Sequence, residues 1–174
     1  MGADIHMYIQ YKNKKSNYWN CFADRINPGR NYTMFAILAK VRGEFPESFE
    51  PKGIPEHELS YSCKDDLYLY VDDKLQNEDG FTSLEKALKW KENHGCKIIE
   101  KNGEPYKVEH PDWHSHTWLT IKELKKAYKL YLKYASEEWG EDVKIPSEYQ
   151  AILDVMKSLK KSGNKVELVF WFDN

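Results

Sequence analysis

Residues 4–11, DIHMYIQY, alternate so that Ile5, Met7 and Ile9 point one way while Asp4, His6 and Tyr8 point the other, the pattern of a half-buried strand. Residues 18–23 read as its hairpin partner, reached through the polar turn Lys12–Ser16. Met34, Phe35, Ile37, Leu38 and Val41 then fall at helical spacing behind the polar segment Asn27-Pro28-Gly29-Arg30-Asn31, and Gly43 is expected to end that helix. From Glu44 to Glu58 the chain carries Pro46, Pro51, Pro55 and Gly53, so it must be mostly loop, running over the surface or over a site.

Leu67, Leu69 and Val71 alternate with Tyr68 and Tyr70, which predicts a further strand. Thr82 with Glu85 has the spacing of a capping box for a helix ending at Gly95, and Lys97–His110 reads as a hairpin turned at Asn102-Gly103. Thr120 with Glu123 opens a second capped helix, with an apolar stripe of Ile121, Leu124, Tyr128, Tyr131 and Ala135. Ser147 with Gln150 suggests a third, burying Tyr149, Ile152, Met156 and Leu159 and stopping at Gly163; Val166–Phe172 is a closing strand. Hairpins mixed with irregularly spaced helices point to an α+β fold, an antiparallel or mixed sheet with about four helices packed on one face, rather than a doubly wound parallel sheet.

At 174 residues the chain is expected to form one domain, residues 1–174, with enough length to bury a core. A net charge of −2 denies the whole molecule the basic field that drives non-specific nucleic-acid binding, although a local patch is compatible with it. Lys122, Lys125, Lys126, Lys129 and Lys133 do line one flank of a helix, but Glu137, Glu138, Glu141 and Asp142 follow at once, so nucleic acid ranks below a small ligand as partner. Cys21, Cys63 and Cys96 are odd in number and unpaired in pattern, which fits a reducing compartment. No run approaches the roughly 18–20 apolar residues of a membrane helix. Gly2 suits myristoylation, but position 6, where that pattern wants Ser or Thr, is His6, so the expected location is the cytoplasm, without membrane attachment.

The candidate chemistry lies in the histidines. In an extended chain positions i and i+2 share a face, so His114 and His116 in HPDWHSH would present two imidazoles, and Asp4 and His6 a carboxylate and an imidazole. Asp4, His6, His114 and His116, joined by Asp173 of the closing FWFDN, form a candidate ligand set for a divalent ion such as Zn or Mn that activates water. Without a metal, His114 and His116 would serve as general base and acid on a phosphoester. The start of the helix at Ile121 offers backbone N–H groups and a positive dipole end to phosphate. Arg30 has the fork geometry for a phosphoryl group, while Asn31, Trp113 and Trp118 are candidate ligand contacts. Each has a structural alternative: Asn31 as a helix N-cap, Asp173 as a solvated terminus, and His114, His116, Trp113 and Trp118 as packing between loop and sheet.

The segments MGADIHMYIQYK, RNYTMFAILAKVRG, PKGIP, DWHSHTWLTIKEL and VELVFWFDN together resemble a family of small bacteriophage and prophage proteins that open G-(C/A)-D-I-H and close on F-D-N. The likeness spans most of the chain. Ala3 stands where members often carry cysteine, so no role of that cysteine transfers. The resemblance implies a phage or prophage origin and the host cytoplasm, and by analogy antagonism of host defence. The expected activity is a metal-assisted or His-based phosphoesterase on a nucleotide or other phosphorylated small molecule. The alternative is a non-catalytic module that sequesters a nucleotide or binds a host protein, in an oligomeric state the sequence does not reveal.

Overall fold

The computed structural model describes residues 2–174. In chain order the elements are β1 (Asp4–Lys12), β2 (Asn20–Ile26), α1 (Tyr32–Ala39), α2 (Tyr61–Leu67), β3 (Tyr68–Val71), β4 (Phe81–Thr82) and α3 (Leu84–His94). They continue with β5 (Ile98–Lys101), β6 (Glu104–Glu109), β7 (His114–Leu119), α4 (Ile121–Trp139), α5 (Ser147–Lys161) and β8 (Lys165–Asp173). This is an α+β fold, with two four-stranded sheets where the pattern of the sequence suggested one. The chain packs as two compact units, one of residues up to Ser60 together with His114–Asn174, the other Tyr61–Trp113.

In the first unit an antiparallel sheet runs in the order β2-β1-β8-β7. β1 and β8 lie side by side over their whole length, from Asp4 opposite Asp173 to Lys12 opposite Lys165. Alternation sends Ile5, Met7, Ile9, Leu168, Phe170 and Phe172 to one face, where α1, α4 and α5 cover them with Phe35, Leu38, Tyr128, Ile152 and Met156. The other face is also buried: Tyr8, Gln10, Val169 and Trp171 are each at most 3 % exposed. The proline-rich loop is tied to the sheet, since Gly53 N–H donates to the His116 carbonyl at 2.8 Å and Ser60 N–H to Gln10 Oε1 at 3.0 Å.

The second unit is a mixed sheet in the order β4-β3-β6-β5, with β3 and β4 parallel and the other pairs antiparallel. Its core is Ala87, Cys96 and Val108 with Leu69, Val71, Trp90 and Ile98 around them. The hairpin at Asn102-Gly103 forms as expected, with φ of 56° and 82° at those residues, the left-handed pair that a two-residue turn of this hand requires.

Several element ends differ from expectation. α1 stops at Lys40, itself left-handed at φ 56°, before Gly43 is reached. α2 is an additional helix, so Leu67 ends a helix instead of opening a strand; seven residues carry too little periodicity to reveal it. Thr82 is paired to Val71 within the sheet, and Ser83 caps α3 in its place, its hydroxyl accepting from Lys86 N–H at 3.3 Å. Ser147 is the first residue of α5, preceded by Pro146, and makes no capping bond. The capping box at Thr120 and Glu123 is present in full.

Candidate functional site

The β1–β8 register decides the site. It sets Asp4 opposite Asp173 and His6 opposite Trp171, so Asp4, His6 and Asp173 share the sheet face away from the helices. Asp173 Oδ1 accepts the Asp4 backbone N–H at 3.1 Å, and Oδ2 lies 2.9 Å from His6 Nε2. The chain end is therefore tied down; Asp173 is not a solvated terminus.

His6 Nδ1 lies 3.1 Å from Arg25 Nη1. A guanidinium can only donate, so Nδ1 accepts and the ring proton sits on Nε2, directed at Asp173. Both ring nitrogens of this imidazole, which is 3 % exposed, are thus engaged. Arg25 reaches it because β2 advances four residues from Phe22 to Ile26 where β1 advances two from Ile9 to Met7, a bulge with Ala23 at φ 63°. Such bulges re-aim side chains. Nothing in the sequence marks Arg25, since bulge geometry has no local pattern.

Arg30 grips Asp4 with two bonds, Nε to Oδ1 at 2.6 Å and Nη2 to Oδ2 at 2.7 Å. The Arg30 hydrogen bonds hold the Asp4 carboxyl below its ordinary range, against a smaller opposing effect of desolvation. The guanidinium also lies over Gly2, where a Cβ would collide with Nη1. Arg42, another residue the sequence reading passed over, donates to Asn174 Oδ1 at 3.2 Å.

His114 and His116 do not share a face. From His114 to Thr117 β7 takes three steps while β8 takes two, from Phe172 to Phe170, and Ser115 absorbs the extra residue at φ 53°. His114 accordingly stacks near Phe172 on the helix side, with ring centroids 6.1 Å apart, and its Nδ1 meets Ser115 Oγ at 3.0 Å. His116 turns to Trp171, also at 6.1 Å, on the side of His6, whose ring lies 5.9 Å from the same indole. Burial lowers the pKa of His114, and hydrogen bonding to Asn174 and the nearby Asp173 charge only partly oppose that. Among the described residues, no group of three or more His, Cys, Asp or Glu is placed to hold a metal ion.

The remaining expected contact residues each have a partner within the chain. Asn31 caps α1, accepting from Met34 N–H at 2.9 Å and donating to Tyr131 Oη at 3.2 Å. Trp113 belongs to the second unit and stacks on His110 at 4.4 Å. Trp118 carries Lys52 Nζ 3.8 Å from its ring centroid. The start of α4 already has an anion of its own: Glu123 Oε2 accepts Thr120 N–H at 2.8 Å while Oε1 pairs with Lys52 at 2.9 Å. Burial would raise the Glu123 pKa, but these bonds outweigh it and the carboxyl is lowered. A further buried network joins Glu167, 6 % exposed, to Gln10 and to His57, each at 2.5 Å.

Among the described residues no helix is long and apolar enough to cross a membrane. Compared with known proteins, the chain matches no family model, no curated sequence and no solved structure.

Proposed function

We propose that this chain is a His-based phosphoesterase acting on a nucleotide or similar phosphorylated small molecule, with His6 as its base. One observation carries the reading: the unbroken series Asp173–His6–Arg25, beside the Arg30–Asp4 pair, at one end of the sheet. It couples a carboxylate-oriented imidazole to an exposed guanidinium, the two parts that hydrolysis of a phosphate ester requires.

A phosphoryl oxygen competes with the imidazole for Arg25, because a charge-assisted bond to an anion is stronger than one to a neutral nitrogen. When Arg25 turns to the phosphate, Nδ1 is left as an acceptor facing the bound group. A water placed there gives its proton to Nδ1 as its oxygen bonds to phosphorus and the bond to the leaving oxygen breaks. Asp173 stabilises the imidazolium so formed. The leaving oxygen takes its proton from solvent, since His114, on the other face and with a lowered pKa, is unsuited to act as the acid. His6 thus takes the role first expected of His114 and His116, and the reaction has no need of Zn or Mn. The resemblance to phage and prophage proteins supports placing such an activity against a nucleotide signal of host defence.

The test is turnover of nucleoside phosphates and of bis(p-nitrophenyl) phosphate by the purified chain and its His6→Gln variant, with and without chelator. General-base loss predicts a fall of about 10²–10⁴ in rate with chelator having no effect. Nucleotides that bind and return intact would favour the sequestering alternative; loss of activity on chelation would return the metal to the mechanism.

A further inference from the structure

The opposite end of the same sheet carries a different surface. Lys122, Lys125, Lys126 and Lys129 on α4 and Lys160 on α5 line a cleft of about 740 Å³ whose floor includes Ile121 and Val166. Val166 also borders a second hollow, of about 340 Å³, formed with Lys12, Lys165, Trp19 and His57. A third hollow, of about 400 Å³, shares Thr120, Lys122 and Lys126 with the cleft and is lined by Trp118. The three hollows share lining residues, and the indoles that border the outer two both meet His57, Trp19 stacked on it at 4.8 Å and Trp118 edge-on at 6.1 Å.

Among the described residues, none of these seven lysines is in an ion pair. Their neighbours differ: Lys133 on α4 is paired with Glu47 and Lys52 with Glu123, each at 2.9 Å. The carboxylates lining these hollows, Glu123 and Glu167, are already bound, the first to Thr120 and Lys52, the second to His57 and Gln10. The lysines of the cleft on α4 and α5 thus outnumber the carboxylates near them, with Glu47 within electrostatic reach of Lys126 and Glu167 beside Lys12 and Lys165, on a chain whose net charge is −2. The acidic remainder repels a polyanion and directs it to this strip.

We infer that this strip binds single-stranded nucleic acid. Lysines outside ion pairs supply phosphate contacts, Trp19 and Trp118, each half-buried with one face taken by His57 and by Lys52 respectively, present their remaining ring surface to unstacked bases, and the apolar floor admits bases without reading their edges. A duplex has its bases already stacked and gains nothing from the indoles. A mononucleotide uses too few of the lysines, which extend over about 10 Å of α4 alone. The site is separate from His6: Val166 and Asp173 stand seven residues apart on β8, about 23 Å at strand rise. It does not rest on the phosphoesterase reading.

Fluorescence anisotropy with 5′-fluorescein dT15 and rU15, from 25 to 200 mM salt, tests this. Using the His6→Gln chain as background keeps any hydrolysis from consuming the probe, so failure here and failure of the proposed activity are read apart. Saturable binding is expected, with log affinity falling against log salt by about 0.7 per phosphate neutralised. Lys125→Glu with Lys129→Glu, both exposed positions, should weaken binding more than tenfold and flatten that slope by about 1.4. Trp118→Ala should cost roughly tenfold with little change in slope. Absence of binding at 25 mM salt, binding indifferent to the lysine reversals, or preference for a duplex or for a poly-glutamate peptide over dT15 each overturns the inference.

Discussion

Asp173→Asn is the sharpest probe of the network at the sheet end. The carboxylate accepts two donors, Asp4 N–H on Oδ1 at 3.1 Å and His6 Nε2–H on Oδ2 at 2.9 Å. An asparagine has a single oxygen, so one donor is left facing an NH2 group. The His6 side chain is 4 % exposed and the Asp173 side chain 32 %, so the amide oxygen will serve the buried imidazole, and the mismatch falls on the Asp4 N–H, within reach of water. An unsatisfied donor costs about 1–3 kcal/mol, and access to solvent puts this one near 1 kcal/mol. With a urea slope of about 2 kcal/mol/M, the midpoint should drop by about 0.5 M. Urea unfolding followed by tryptophan fluorescence reads this, since Trp171 is 1 % exposed beside the network. ¹⁵N chemical shifts of His6 should show the proton still on Nε2. A midpoint unchanged within about 0.1 M, or a His6 proton on Nδ1 in the unmodified chain, would refute the reasoning.

Three further outcomes follow from the same geometry. Thr120→Ala removes the hydroxyl that accepts Glu123 N–H at 3.3 Å, and should cost about 1 kcal/mol in urea unfolding. Gly2→Ala pushes Arg30 off Asp4, so an NMR titration should find the Asp4 carboxyl moved up toward its ordinary value of 3.8 while the fold is retained. His114 titrates near 6.5 when unfolded and lower when folded, so the unfolded state takes up its proton first as pH falls. Its contribution is fully present above that value and is lost as pH drops through it toward the folded pKa; His114→Phe should reduce the pH dependence of the urea midpoint between pH 7.5 and 5.5.

Among the elements, those whose signals are local were legible in the chain. The capping box at Thr120 and Glu123, the Asn102-Gly103 turn and the alternation of Ile5, Met7 and Ile9 each depend on residues within a few positions of one another, and each formed. Thr82 and Ser147 have capping residues at the right spacing too, yet a strand pairing at Thr82 and Pro146 before Ser147 overrode them. Propensity is a weak prior where a neighbour claims the same backbone.

The amino-acid sequence by itself determined the α+β class, the strand that opens the chain and the strand that closes it, and the residue types, carboxylate, imidazole and guanidinium, that the sheet end assembles. The tertiary structure alone decided which of them meet. Antiparallel pairing of β1 with β8 joined Asp4, His6 and Asp173 across 167 to 169 positions of chain. Two bulges then set the rest, one turning Arg25 onto His6, the other separating His114 from His116. The period of two holds only along an uninterrupted strand, and a bulge is fixed by the register of the neighbouring strand, which distant residues choose.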